Sequence, residues 1–255
     1  MEVVRLITGL SNFVPLALLS LLVILTGAIR AIYLLPVIRP RKPQKRQRKK
    51  DAAYILVVLG SGGHTTEMFM LLAGLDTARY STRRYVISEG DNHSITRMRD
   101  FELTLELDAI QRGIIYGAYD YKIVSRARKI HQSLITTPIS TLATFIACLG
   151  VFGRPSKQAP SRTMYPDLVI ANGPATAFVL ICASFVLRYF NLPGTSEALR
   201  CVYVESWARL HQLSLTGRLL RLSGLCERFL VQWPDLEIRN RRGKQLGEYV
   251  GPLVI

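Results

Sequence analysis

The chain has 255 residues, 49% of them apolar, and a formal net charge of +15. This is enough for one α/β domain of ordinary size with an appendage and a sizeable core, while the absence of any internal repeat or zinc-ligand spacing excludes a solenoid and a zinc module. The basic balance puts nucleic acid or an anionic membrane surface first among partners.

The charge is uneven. Arg39–Asp51 carries eight Lys/Arg against one Asp, +7 of the +15, and leaves +8 for the rest. Ahead of it, no charged residue falls between Arg5 and Arg30, and Leu6–Ile29 supplies the ~20 apolar residues that a bilayer core requires. A cleavable signal peptide shares the charged start and apolar run. However, no small-x-small site leads into a secreted-type sequence, so a transmembrane anchor is expected over residues 1–38. The tract Arg39–Lys50 (RPRKPQKRQRKK) is too polar and proline-broken to fold alone. As a linker (39–51) directly after the span, it places itself and the domain at 52–255 in the cytosol by the positive-inside rule. A nuclear-localisation or nucleic-acid-binding arm is the alternative for such a tract. Cys148, Cys182, Cys201 and Cys226 lie singly in apolar runs, as buried small hydrophobes of a reducing compartment do.

The stretch Ala52–Leu75 (AAYILVVLGSGGHTTEMFMLLAGL) organises the remainder. Tyr54–Leu59 has strand length and β-branched content, Gly60, Gly62 and Gly63 permit a tight turn, and Met68, Leu71, Leu72 and Leu75 form one helical stripe. Strand, glycine loop and helix bring backbone N–H groups and a positive helix end to one spot, a setting for phosphate or pyrophosphate. His64 stands at that helix start, where the dipole is expected to lower its pKa, and Glu67 follows in the first turn. The loop lacks the third glycine of the dinucleotide fingerprint and the Gly-Lys-Ser/Thr of a P-loop, which disfavours a nicotinamide enzyme and an ATPase.

Further along, Arg84–Ser88 is expected as a strand, Ser94–Asp100 as a short helix, and the alternating Phe101–Leu107 (FELTLEL) as a half-buried or edge strand. Tyr119–Phe152 reads as helical with a break at Pro138. Its second half, Ile139–Phe152, is apolar all round, which favours a buried helix over an in-plane membrane contact. Gly153–Thr163 is a loop. Asp167–Ala171 is a strand, Pro174 is placed to open the helix Ala175–Tyr189, and Arg200–Val204 is the next strand. Ser214–Ser223 is a helix with Leu215, Leu219 and Leu222 on one face and Gly224 as its stop, before a last strand at Phe229–Gln232. Alternating strands and helices mean a Rossmann-like parallel sheet covered on both faces. His64, Glu89 with Asp91, Asn172, Glu205 with Ser206, and Gln232 each fall at or beyond the C-terminal end of a strand, the edge where open parallel sheets bind ligands.

Five segments, GSGGHTTEM (Gly60–Met68), PDLVIANGP (Pro166–Pro174), VYVESWARLHQLSLTGRLL (Val202–Leu220), RFLVQWPDL (Arg228–Leu236) and EYVGPLV (Glu248–Val254), occur in the order that resembles one family: the membrane-anchoring subunit of the dolichol-linked N-acetylglucosaminyltransferase, the fourteenth protein of the asparagine-linked glycosylation series. The resemblance runs from Ala52 to the C-terminus. It implies the acceptor-binding half of a GT-B glycosyltransferase, akin to the bacterial enzyme that forms lipid II, on the cytosolic face of the endoplasmic reticulum and its continuation in the nuclear envelope. A separate soluble subunit would bind UDP-GlcNAc, and together they would add the second, β1,4-linked GlcNAc to GlcNAc-diphosphodolichol.

Carried onto this chain, the resemblance matches His64 to a histidine of the related bacterial loop that is tied to acceptor binding or catalysis. As the base that a sugar hydroxyl needs, the strand-end residues offer His64, Glu89, Asp91 and Glu205, with His64 or Glu205 expected to assist deprotonation of the acceptor 4-hydroxyl. The glycine loop and the strand ends place Gly60, Ser61, Gly62, Gly63, Thr65, Glu67, Asp91, Asn172, Gly173 and Ser206 around the acceptor diphosphate and sugar, to which the resemblance adds Arg112, and it implies Tyr249, Val250, Gly251, Pro252, Leu253, Val254 and Ile255 at the partner contact. A proline-arginine segment of the family is replaced by Gln111-Arg112, so only Arg112 is carried over there. No metal, no cofactor and no nucleic acid is expected. Three other readings predict different behaviour. A purely non-catalytic adaptor would need none of the cleft residues. A self-sufficient transferase would need a donor domain after Ile255. A nucleic-acid-binding membrane protein would bind through Arg39–Lys50 with steep salt dependence.

Overall fold

The computed structural model describes residues 2–38, 52–127, 137–153, 164–173, 175–195, 197–239 and 245–253. The basic tract Arg39–Lys50, most of the loop 153–163, Pro174, Val254 and Ile255 lie outside the described residues. Helix α1 (Glu2–Leu34) precedes the domain. Its segment Pro15–Leu34 has mean hydropathy 2.1, is not buried in the protein, and is long and apolar enough to cross a membrane.

The domain alternates β1 (Tyr54–Val58), α2 (Gly63–Leu71), β2 (Thr82–Ser88), α3 (Asn92–Arg112), β3 (Ala118–Val124), α4 (Thr137–Val151), β4 (Leu168–Asn172), α5 (Ala175–Tyr189), β5 (Arg200–Val204), α6 (Leu215–Ser223) and β6 (Arg228–Val231), and ends with β7 (Ile238–Arg239) and β8 (Gln245–Tyr249). The strands form one sheet in the order β3-β2-β1-β4-β5-β6-β8-β7. All pairings are parallel except β7 with β8. A parallel sheet needs helices on both faces, and β1 is buried along its whole length for that reason. Its Leu56 and Val58 join the core under α4, α5 and α6, with Cys148, Leu180 and Tyr203. Ile55 and Val57 point the other way, into a smaller core with Met68, Tyr85 and Met98 under α2 and α3. The order 3-2-1-4-5-6 reverses direction between β1 and β4, and the crevice beyond their C-terminal ends is where ligands bind in such sheets.

The structure corrects three sequence expectations. Phe101–Leu107 is the middle of α3, not a strand. The apparent alternation counted Glu102 as outward, yet Glu102 is buried and accepts from Arg83 Nε and Nη2, both at 2.8 Å. With Glu102 inside, Met98, Glu102, Leu105 and Ala109 follow helical spacing. The stretch Tyr119–Val124, read as helical, belongs to the edge strand β3, tied to β2 by an Arg84–Asp120 ion pair of 2.7 and 2.6 Å. Helix α4 is only half buried. Thr144, Cys148 and Val151 face the sheet, whereas Ile139, Leu142 and Ile146 are exposed. The Leu215, Leu219 and Leu222 face of α6 likewise points outward, and Thr216, Gly217 and Leu220 are the buried residues. Strand β8, which no periodicity signalled, pairs with β6 and brings the chain end back to the sheet.

Candidate functional site

Residues that follow β1, β4, β5 and β6 meet at the C-terminal edge of the sheet. Of the loop glycines, Gly62 is the one that requires a left-handed backbone, at φ 67° just before α2. A Cβ at Gly62 or Gly63 would meet no atom within 4 Å, so the loop leaves open space over the helix start. Ser61 is exposed at its tip. Thr65 holds the loop from behind: its hydroxyl is within reach of the Gly60 carbonyl and lies 2.6 Å from Ser94 Oγ. Asp91 in turn caps α3 by accepting from Ser94 N at 3.1 Å and Ser94 Oγ at 2.7 Å. Asp91 and Thr65 are therefore supports of the loop, with their polar atoms turned into the protein.

His64 lies over the end of β4. Its Nδ1 is 3.0 Å from Asn172 Oδ1 and 3.7 Å from Glu67 Oε2. Both neighbours are acceptors, so the hydrogen belongs on Nδ1 and Nε2 is the free ring nitrogen. The imidazole packs on Gly173, where φ is 86° and an added Cβ would come within 2.8 Å of the ring. Gly173 thus makes room for His64 as well as turning the chain. The Glu67 carboxylate beside it raises the His64 pKa above its ordinary value, against the opposing effect of burial. This reverses the expectation from the helix dipole, because a carboxylate one helical turn on outweighs the partial charge of the helix end.

Glu67 is the hub. Its carboxylate accepts from Ser206 Oγ at 3.0 Å, from Trp207 N at 2.5 Å and from Gln232 Nε2 at 2.7 Å. Burial pushes its pKa up, but the neighbouring His64 and the bonds from Trp207 and Gln232 outweigh burial and hold it below the usual carboxylate value. Gln232 also donates to the Glu205 carbonyl at 3.0 Å and accepts from Leu253 N at 3.1 Å. One carboxamide thus links the loop after β5, the Glu67 carboxylate and the C-terminal tail.

The resulting cleft has a volume of about 420 Å³ and is lined by Gly63, His64, Glu67, Met70, Ser206 and Trp207 among others. Trp207 is braced by Trp233, whose Nε1 donates to the Trp207 carbonyl at 2.7 Å. Arg97 reaches the loop from α3 and donates to Thr66 Oγ1 at 2.9 Å. The cleft therefore offers a free imidazole nitrogen, an aromatic wall, open glycine backbone and a nearby cation.

Two expected residues sit elsewhere. Glu205 is fully buried and turned away from the cleft: Oε1 accepts from Ser206 N at 3.0 Å, and Oε2 from Ser214 N at 3.1 Å and Ser214 Oγ at 3.0 Å. Burial raises its pKa despite these bonds. Glu205 fastens the 205–214 loop and the start of α6, and the carboxylate beside His64 is Glu67. Arg112 is at the far end of α3 from Asp91, about 30 Å along a helix of that length, and pairs on the surface with Asp108 at 2.9 Å. It does not join the cleft. In the tail, Val250 N donates to the Val231 carbonyl at 3.2 Å, while Tyr249 and Leu253 keep exposed side chains beside β6.

Sequence reasoning places Gln232 at the ligand edge without assigning it a partner, and gives no role to Trp207 or Arg97. Gln232 was visible as a polar residue closing a strand, and Trp207 as an aromatic beside Glu205-Ser206. Arg97 lies 31 residues from Thr66 and carried no local signal.

The family model described as "Oligosaccharide biosynthesis protein Alg14 like" matches residues 55–250. A protein of Cryptococcus neoformans named UDP-N-acetylglucosamine transferase subunit ALG14 is 40% identical over 83% of this chain and 86% of its own length. Its namesake from Homo sapiens is 36% identical over 79% and 85%, and that from Yarrowia lipolytica is 33% identical over 99% and 100%. Among solved structures, the Arabidopsis thaliana UGT89C1 complexed with UDP-L-rhamnose matches 80% of this chain at 14% identity and a TM-score of 0.43, and this chain spans about half (53%) of it. With a family model covering most of the domain and relatives of this identity across most of its length, the chain belongs to the Alg14 family of oligosaccharide biosynthesis proteins.

Proposed function

We propose that this chain is the membrane-anchored, acceptor-binding subunit of a divided UDP-N-acetylglucosamine transferase. The cleft takes GlcNAc-diphosphodolichol, and a soluble partner chain carries UDP-GlcNAc and completes the active site. The product is the β1,4-linked second GlcNAc of the dolichol-linked oligosaccharide. Helix α1 holds the domain to the cytosolic face of the endoplasmic reticulum, and the tail from Tyr249 to Ile255 receives the partner.

The observation that carries this reading is His64, seated on Gly173 and held by Asn172 and Glu67 at the crevice between β1 and β4. In the proposed reaction, Nε2 accepts the proton of the acceptor 4-hydroxyl as that oxygen attacks the anomeric carbon of UDP-GlcNAc and the bond from that carbon to the diphosphate breaks, releasing UDP on the partner's side. Glu67 stabilises the imidazolium that forms. The N–H groups around Gly62 and Gly63 and the α2 N-terminus receive the acceptor diphosphate, with Arg97, bonded to Thr66, as a cation beside them. Trp207 and Met70 offer an apolar wall to a sugar face.

The test is a transfer assay with purified chain, with and without the soluble partner, using UDP-GlcNAc and a lipid-diphosphate GlcNAc acceptor. Transfer only by the pair supports the divided enzyme. Transfer by this chain alone, or full transfer by the partner fused to an unrelated membrane anchor, would overturn it.

A further inference from the structure

The outer surface of the α4–α5–α6 layer is unlike the rest of the domain. Helix α4 contains no charged residue, yet Ile139 is 75% and Ile146 is 62% exposed. On α6, Leu215, Leu219 and Leu222 form an outward stripe, and Leu222 is 77% exposed. Between them, α5 presents Phe178, Cys182 and Phe185, half buried, and its one charged residue, Arg188, is turned in to Glu227. A contiguous apolar surface of this kind on one layer marks a contact.

The place where α1 arrives identifies the contact. Arg30 Nε donates to the Tyr189 carbonyl at 2.8 Å, and Arg188 Nη2 donates to the Leu34 carbonyl at 3.1 Å. Val37 packs against Gly224 at the end of α6. The apolar span thus ends against the C-termini of α5 and α6, in continuity with the exposed layer, and Phe190 stands exposed at that point. These helix ends lie at the edge of the sheet opposite the cleft, because α5 begins at Ala175, two residues after Gly173, and α6 begins beside Glu205. Helix α4 runs the same way, with Ser140 and Thr141 donating to the Ala127 carbonyl beyond β3 and Val151 accepting from Arg84. The apolar stripes therefore lead from the anchor edge to the cleft edge.

We infer that the domain lies on its side, with the outer faces of α4, α5 and α6 seated in the headgroup–acyl boundary of the membrane. An upright domain standing on the anchor edge would hold the cleft a full helix length, about 20 Å, above the surface. The tilted domain instead brings Gly62, Gly63 and His64 down to headgroup level. Arg218 and Arg221 flank the leucine stripe of α6, the pattern of an interfacial helix on anionic lipid. The opposite layer differs. Leu103 and Leu107 of α3 are exposed too, but Arg99, Asp100, Glu106 and Asp108 surround them. This inference rests on the reading of α1 as a membrane span.

The experiment places a photo-cross-linking amino acid singly at Leu25 of α1, Leu142 of α4, Leu219 of α6 and Leu103 of α3, in the full chain reconstituted into vesicles of phosphatidylcholine and phosphatidylinositol. Cross-links to lipid at positions 25, 142 and 219, with position 103 at background, are expected. Lipid at 25 but not at 142 and 219 would overturn the tilted domain and leave the anchor standing, whereas no lipid at 25 would remove the anchor reading as well. Lipid at 103 equal to that at 219, or cross-linking of 219 to protein in place of lipid, would also overturn it. A second measurement uses L219E/L222E, which changes only exposed side chains. With the partner present, it should lose transfer to a long-chain acceptor in vesicles and keep transfer to a short-chain acceptor in solution. Equal transfer to both would contradict the inference.

Discussion

Helix α2, after β1, and the loop after β5 each supply a glutamate to the same edge of the sheet, and their settings are opposite. Glu67 borders the cleft, touches His64 and is held below the usual carboxylate pKa by the groups that donate to it. Glu205 is fully buried, spends its oxygens on Ser206 and Ser214, and is raised by burial. A strand-end acid is thus an ambiguous signal on its own. Partners from other loops decide whether it serves chemistry or architecture, and here the helix acid is the one beside the histidine.

The comparison can be broken from either side. The largest effect is expected at the group that Glu67 serves: His64→Ala should lower kcat of the complex by about 10²–10⁴-fold, the usual worth of a general base, with partner binding unchanged in a pull-down or titration. An unchanged rate would remove His64 from the mechanism. Glu205→Ala should act on the fold instead. It leaves three donors at one buried position unpartnered, for a loss of about 2–3 kcal/mol in denaturant unfolding, and the fraction that stays folded should keep its transfer rate per molecule. A specific activity loss as large as that of His64→Ala, without a stability loss, would return Glu205 to the catalytic group. Gln232→Leu is the mildest. It removes a donor to Glu67 and the acceptor for Leu253 N, and should cost about 1 kcal/mol, read as roughly a fivefold fall in kcat/KM with a weaker partner affinity.

Much of this was legible in the sequence, for identifiable reasons. The strand–glycine–helix unit at 54–71 and the strands at 168–172 and 200–204 are apolar runs with turn residues at both ends, so local chemistry and final structure agree. The convergence of His64, Asn172, Ser206 and Gln232 followed from the rule for open parallel sheets. What failed depended on distant partners. Glu102 became a core residue because Arg83, 19 positions earlier, pairs with it. β3 is a strand because β2 offers it an edge and Arg84 a charge. The outward leucines of α6 obey the periodicity rule, but periodicity marks only that a face is apolar and leaves open whether protein or lipid covers it. The His64 pKa was misjudged because only the local dipole was counted, and the stronger influence was the orientation of Glu67, fixed by loops after β5 and β6.

The central claim is that Glu67 holds His64 as the base of the acceptor site. The pH dependence of kcat/KM for the complex, wild type against Glu67→Gln, tests it most directly. His64 must be neutral to accept a proton, and its folded pKa is raised by Glu67. The wild-type rate should therefore fall on the acid side with a midpoint above 6.5, the ordinary histidine value. With the carboxylate replaced by an amide, that limb should move to lower pH while the plateau rate drops. An acid limb that stays in place in Glu67→Gln would contradict the account.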